Sequence, residues 1–322
     1  MYRGTNLEEL KASLPPEYSE VPWFSYSQLS TADTCGYKWY VKYQLKLKHQ
    51  SSNTTRLDIG DFVHQFLHDL YARIASGEVS GPQEWADRFL DATLMQIVDG
   101  LKFLDQVKPA ETAFKIIRRY CQSDNLRGHR PVGTEEHFFV MVTLPDGRRF
   151  VLQGYVDLIT MDLHDRVWVW DHKAPEGMWR PRREWNAIQL PLYRILMNST
   201  GMSVYGVIIN LINSYDYKHF EKEPDDKLYK RIEQVHTPAQ LNNIWAEFQA
   251  LAAFTLDIRE GKVPVRRSLQ DHICQNCDLL VPCNAHLSGE QLETAVALNS
   301  NRNVHFRSLP VGTGVTLDLE DI

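Results

Sequence analysis

Cysteine spacing constrains this chain more than any other feature. Three cysteines stand together near its end as Cys274-x2-Cys277-x5-Cys283, and another, Cys35, stands near its start. Thiolates this dense in a chain of ordinary composition are far more often metal or cluster ligands than packing residues, because chelation needs several sulfurs within a few ångströms. Cys35 is the natural fourth ligand. A centre completed by it would staple the N- and C-terminal regions of the 322-residue chain together. The fifth cysteine, Cys121, ends the helical run Arg118-Arg119-Tyr120-Cys121 and reads as a buried or half-buried bystander. An odd, clustered set argues against a disulfide framework and agrees with a reducing compartment.

At 43% hydrophobic residues the chain can bury a full core. No N-terminal apolar run follows a basic start and no stretch approaches the roughly 18 apolar residues of a membrane span, so the expected location is cytoplasmic, with no membrane partner. The formal net charge of -6 gives no general affinity for nucleic acid. DNA binding would have to use local basic surfaces.

Residues 1–22 are polar, carry Pro15-Pro16, and read as an extended lead-in. From Ser27 to about Lys48 one helix is expected, with Ser25 or Ser27 as N-cap and Lys38, Lys42, Lys46 and Lys48 on a basic face. A second helix covers about Leu57 to Ala75, where Ile59, Phe62, Val63, Phe66, Leu67, Leu70, Tyr71 and Ile74 recur at helical spacing. Two more helices fit 82–122, separated near Gly100 and Pro109. The pattern then changes to strands at Glu136–Leu144, Phe150–Met161 and Val167–Lys173. A helix around Trp185–Met197, a strand at Val204–Ile212 and a helix from about Pro238 to Arg259 complete an α/β core between helical ends. The domain expected is one body over 23–288 with a helical insertion at about 76–130, followed by a polar tail at 289–322.

The chemistry sits in the strands. In Val167-Trp168-Val169-Trp170-Asp171-His172-Lys173 the alternation of side chains puts Asp171 and Lys173 on one face. Antiparallel pairing through the Leu163–Arg166 turn would bring Asp157, of Gly154-Tyr155-Val156-Asp157, beside Asp171. Paired carboxylates suit a hard divalent cation, and an adjacent ammonium suits a phosphate or a metal-bound water. An isolated D-x-K is usually an ordinary surface pair. His64, in Gly60-Asp61-Phe62-Val63-His64, stands beside the apolar stripe of its helix, where a histidine alone is more often a core-edge residue than a ligand. Gln189 and Tyr193 share one helix face at i and i+4.

In order, these pieces resemble one family. Ser25-Tyr26-Ser27-Gln28-Leu29 leading to Cys35, G-x3-H at Gly60–His64, G-x2-D at Gly154–Asp157, D-x-K at Asp171–Lys173, Q-x3-Y at Gln189–Tyr193 and C-x2-C-x5-C at Cys274–Cys283 look like the RecB-type, iron–sulfur branch of the PD-(D/E)xK nucleases, which includes the AddB nuclease domain and CRISPR-adaptation exonucleases. The resemblance implies a restriction-endonuclease-like fold, a central mixed sheet flanked by helices, with an N-terminal helical region and a C-terminal cysteine cluster. It implies that His64, Asp157, Asp171 and the backbone carbonyl of His172 bind Mg2+ or Mn2+, with Glu136 as a further acidic position. Lys173 would orient or activate the attacking water, Gln189 and Tyr193 would support the site and contact the DNA backbone, and Cys35, Cys274, Cys277 and Cys283 would hold a [4Fe–4S] cluster.

Basic and aromatic side chains that could track DNA occur at Trp179-Arg180-Pro181-Arg182-Arg183-Glu184-Trp185 and on the Lys38–Lys48 face, with Lys38 and Lys42 its leading members. Neither a base-reading helix-turn-helix nor a P-loop is present, so a helicase or recombination partner would be separate. The expectation is a metal-dependent exonuclease on single-stranded DNA or DNA ends, in recombination, repair or phage DNA processing, in a bacterial cell. Its rivals are a catalytically silent DNA-binding subunit, against which the intact His64, Asp157, Asp171 and Lys173 argue, and a structural Zn2+ at the cysteines.

Overall fold

A computed structural model of the chain describes residues 7–46, 55–101, 106–123, 126–177, 188–215, 222–268, 270–275, 277, 279–289, 291 and 294. Two compact units divide the chain, one of residues 1–24 and 53–246, the other of 25–52 and 247–322.

The first unit is built on a six-stranded sheet of β1 (Trp23–Ser25), β2 (His129–Thr143), β3 (Arg149–Asp162), β4 (Val167–Lys173), β5 (Val204–Ile212) and β6 (Tyr229–Gln234). The order is β1-β3-β4-β5-β6, with β2 also paired to β3. β2, β3 and β4 are antiparallel neighbours because tight turns join them, at Gly147 with φ 86° and at Asp165 with φ 57°. β4 and β5 are parallel, which requires a crossover, supplied by α8 (Gln189–Ser199). The sheet is therefore mixed. β4 is buried along most of its length, as an interior strand must be, and Trp168 and Trp170 fill its core face.

Against Trp168, Trp170, Leu158, Ile208 and Ile212 pack α5 (Thr55–Ala75), α6 (Pro82–Asp99) and α7 (Val107–Tyr120). The stripe of α5 is buried as its spacing requires, at Phe62, Val63, Phe66, Leu67, Leu70 and Tyr71. Gly100 caps α6, and Pro109 lies within the first turn of α7, where its missing N–H would have had no helical partner.

Several boundaries differ from expectation. The lead-in contains two short helices, α1 (Leu7–Ser13) and α2 (Pro16–Ser19), the second started by a proline in its first turn. β2 begins at His129 rather than Glu136, and β6, preceded by α9 (Asp225–Leu228), adds an edge strand that its polar sequence conceals. The helix expected around Trp185 begins at Gln189; residues 178–187, with Arg180, Arg182 and Arg183, lie outside the described residues.

In the second unit the single expected helix is divided. α3 (Tyr26–Thr34) starts on a capping box in which Ser25 Oγ accepts from the Gln28 N–H and Gln28 Oε1 from the Ser25 N–H, both at 3.3 Å. It stops at Cys35, whose backbone is extended, φ -162° and ψ 104°, and α4 (Gly36–Trp39) then runs into a π-helical turn at Tyr40–Gln44. Arg266 explains Gly36: its carbonyl accepts from the Tyr37 N–H at 2.9 Å and would lie 3.1 Å from a Cβ at Gly36. Tyr37, Val41 and Leu279 form a small core with Cys35, Cys277 and Cys283 at its margin. The end of α10 (Pro238–Arg259), α11 (Asp271–Gln275) and α12 (Leu280–Leu287) complete this unit.

Candidate active site

In the first unit, the hairpin register assembles the carboxylates. Leu158 faces Trp170 across β3 and β4, so the next position in register sets Asp157 opposite Asp171. β3 and β4 pair antiparallel through the Leu163–Arg166 turn, from Met161–Val167 to Leu158–Trp170. Asp157 Oδ2 accepts from the backbone N–H of His172 at 2.6 Å, and Lys173 Nζ donates to Asp171 Oδ1 at 2.8 Å. α5 delivers His64 from the other side, with Nδ1 3.7 Å from Asp157 Oδ2 and a hydrogen bond to the His172 main chain.

A third donor joins them from β2. Ligand atoms of His64, Glu135 and Asp157 all lie within 4.8 Å of one another, the only such group of three or more among the described residues. Ligands around Mg2+ at 2.0–2.1 Å can be at most about 4.2 Å apart, so two carboxylates and an imidazole at this spacing fit one hard cation with small adjustments. The acidic member is Glu135 and not Glu136. Glu136 pairs with Val156 in the ladder and is exposed, its side chain folded over Gly133, whereas Glu135 stands opposite Asp157 with a left-handed backbone, φ 51°. That conformation is costly for glutamate.

Burial dominates the electrostatics of the cluster. Burial, reinforced by the charge of Asp171, raises the Asp157 carboxyl well above the usual carboxylate range, and burial raises Glu135 too. Burial lowers His64, which the charge of Asp171 partly offsets. All three shifts disfavour charge on the ligands, and burial is the largest cause of each.

The support reaches outward on both sides. Lys173 Nζ lies 3.4 Å from Gln189 Oε1, and Gln189 Nε2 donates to Tyr193 Oη at 3.1 Å, so Q-x3-Y holds the lysine. The Tyr193 ring lies on Gly154, where a Cβ would come within 2.6 Å of Cε1. The glycine of G-x2-D is thus the seat of the tyrosine of Q-x3-Y. On the helical side, the His172 ring stacks on Tyr71 at 5.5 Å and its Nδ1 lies 2.9 Å from Asn210 Nδ2, which also donates to Tyr120 Oη at 3.0 Å. Tyr120 and Tyr71 hydroxyls meet at 2.6 Å. This buried network, which the sequence reading missed because its members are scattered over α5, α7, β4 and β5, steadies the residue whose main chain holds both Asp157 and His64.

A model of the PD-(D/E)XK nuclease superfamily matches residues 23–284. The chain belongs to this superfamily. Its α/β architecture, a mixed sheet flanked by helices, is that of the PD-(D/E)XK nucleases. Solved structures similar to it include a candidate exonuclease from Eubacterium rectale, at 15% identity over 86% of this chain and 94% of the other, TM-score 0.46. SSO0001 is similar at 16% identity over 87% and 92%, TM-score 0.38, and LHK-Exo in complex with dAMP at 15% over 61% and 98%, TM-score 0.24. No curated protein matches the chain.

The second unit of this PD-(D/E)XK nuclease gathers the four cysteines. The thiol of Cys283 is pushed up to about 11 by burial and then by the neighbouring Cys35, Cys277 and Cys274 sulfurs. A cavity of about 210 Å³ is lined by Cys35, Cys274, Cys277, Lys38, Ser268 and Ile273, among others. Backbone N–H groups of Lys38 and Ser268 point at Cys35 Sγ, and that of Leu279 at Cys277 Sγ, all at 3.4 Å, which fixes the orientation of both sulfurs. Cys121 is elsewhere, buried in the helical core with its thiol pushed up to about 12. Lys38 thus borders the cysteine cavity, and the Lys42 ammonium lies 5.5 Å from the Tyr43 ring centroid.

Proposed function

We propose that this PD-(D/E)XK nuclease is a metal-dependent deoxyribonuclease, an exonuclease acting on single-stranded DNA or DNA ends in recombination, repair or phage DNA processing. One observation carries the reading: His64, Glu135 and Asp157 converge within 4.8 Å, and Asp157 stands in register beside the Asp171–Lys173 pair. A bound Mg2+ or Mn2+ would supply positive charge for the phosphate oxygens and a water of lowered pKa. His64, Glu135, Asp157 and Asp171 are the side chains that would hold it. Lys173, half-exposed and anchored by Asp171 and Gln189, keeps an ammonium at the edge of the cluster, where it can orient a water or neutralise the phosphate. Gln189 and Tyr193 fix that ammonium in place.

In the same reading, Cys35, Cys274, Cys277 and Cys283 hold a [4Fe–4S] cluster that ties the unit's distant segments. Tetrahedral zinc, with Zn–S bonds of about 2.3 Å, needs sulfurs roughly 3.8 Å apart. Among the described residues no three of the four sulfurs meet within 4.8 Å, and Cys35, Cys274 and Cys277 border a cavity, which suits a larger inorganic core. DNA is the partner, engaged through Lys38, Lys42, Arg180, Arg182 and Arg183, with a helicase or recombination protein supplying any motor. Among the described residues no helix is long and apolar enough to cross a membrane, and we place the activity in the cytoplasm. The test is cleavage of end-labelled single- and double-stranded DNA. Mono- or short oligonucleotides released from an end with Mg2+ or Mn2+, and none with EDTA, are expected. Internal cuts alone, or cleavage in excess EDTA, would overturn the proposal.

A further inference from the structure

Beyond the metal-ligand group, the same face of the β2–β3 hairpin carries aromatic rings. Side chains two residues apart share a strand face, and directly opposed residues lie on the same face of the sheet. Asp157 therefore shares its face with Tyr155, about 6.7 Å along β3, and Tyr155 is paired with His137 of β2. The His137 and Tyr155 rings are stacked, with centroids 4.3 Å apart and planes 9° from parallel. His137 Nε2 meets Gln153 Oε1 at 3.1 Å, which fixes the plane of the stack. Phe139 follows at 5.7 Å from His137, and Trp23 lies 5.4 Å beyond it with the Lys11 ammonium 5.5 Å from its ring centroid. Trp23 is buried and serves as a floor, but Tyr155 is 40% exposed while its strand neighbours Gly154 and Val156 are buried.

A stacked pair of rings beside an ordinary fold position would be a cross-strand contact and no more. Here it adjoins the cluster that would receive the scissile phosphate, and it leaves one large aromatic surface open.

We propose that Tyr155, backed by His137, is a stacking platform for the unpaired nucleobase next to the scissile phosphate. The inference rests on the nuclease reading and gives it a strand preference. A base within a duplex is stacked on both faces and cannot lie on Tyr155; a single strand or a frayed end can. Every base has a π-face, so the platform is indifferent to sequence.

The experiment uses single strands carrying 2-aminopurine, or an abasic residue, at successive positions from the labelled end. Binding is measured with Ca2+ in place of Mg2+, and cleavage with Mg2+. Wild-type protein should quench 2-aminopurine at one or two positions, and an abasic residue there should slow cleavage roughly ten-fold. Tyr155→Leu should lose the quench, cut the normal strand roughly ten-fold more slowly, and no longer distinguish it from the abasic one; Tyr155→Phe should behave as wild type. Cleavage by Tyr155→Leu that still falls at the abasic position, or an unaltered quench, would overturn the platform while leaving the nuclease reading intact. Wild-type protein that cuts no strand would overturn the nuclease reading, and the Ca2+ binding experiment would still decide whether Tyr155 stacks a base.

Discussion

Adding one methyl group at Gly154 perturbs the site through its support and touches no proposed ligand. A Cβ there would lie 2.6 Å from Tyr193 Cε1, 2.9 Å from Cζ and 3.2 Å from Cδ1. Comfortable carbon contacts are about 3.5–4.0 Å, so the ring must retreat by roughly 1 Å in a buried setting. Overpacking of this kind costs about 1–3 kcal/mol. For a unit of this size a loss of about 2 kcal/mol lowers Tm by roughly 4–8 °C. The ring also carries the hydroxyl that holds Gln189, and Gln189 lies against Lys173. Displacement of a reacting group by about 1 Å can cost roughly 100-fold in rate, so Gly154→Ala should lose activity by one to two orders of magnitude. Thermal melts and initial cleavage rates measure the two effects. The decisive control is Gly154→Ala in a Tyr193→Ala background, where the clash is gone and the added methyl should cost less than about 0.5 kcal/mol. An equal cost in both backgrounds, or a Gly154→Ala protein with wild-type Tm and rate, would show that the Tyr193 ring does not sit on Gly154 in the way that couples it to Lys173.

Two further outcomes follow from the same geometry. Asp157 has a folded pKa raised above its unfolded value, so its stabilising contribution without metal is present at low pH and lost as pH rises through the folded value. In EDTA, Asp157→Asn should therefore melt higher than wild type at neutral pH, converge with it in acid, and lose the rise in Tm that Mg2+ gives; a lower Tm than wild type across the whole range would contradict this. At the cysteines, Cys277→Ser should reduce bound iron and lower Tm strongly because it opens the long loop between Cys35 and the C-terminal ligands, whereas Cys121→Ser should keep its iron and cost roughly 1 kcal/mol. Equal iron loss in the two variants would show that the ligand set is wrong.

The parts of the site that sequence makes legible are those governed by strand alternation and short turns. Asp171 and Lys173 share a face because they are two residues apart, and the four-residue turn sets Asp157 opposite Asp171. Glu135 was missed for a local reason. Its backbone is left-handed within β2, so alternation among Glu136, Phe138 and Val140 gives no sign of it. The signal that could have found it is the hairpin itself: counted back from the Leu144–Arg148 turn, Asp157 falls opposite Glu135. The break at Cys35 was hidden because the helical pattern runs through it, and only the requirement for an extended cysteine that caps α4 with its sulfur stops the helix there. The tyrosine and asparagine network around His172 depends on long-range packing that no local pattern encodes.

In the proposed nuclease, Asp171 and Lys173 act on the phosphate and its metal and are not structural props. Purified Asp171→Ala and Lys173→Ala proteins should fold, keep their iron and bind single-stranded DNA, yet cleave it roughly 100-fold or more slowly than wild type in Mg2+. Cleavage at the wild-type rate by either variant would contradict the account.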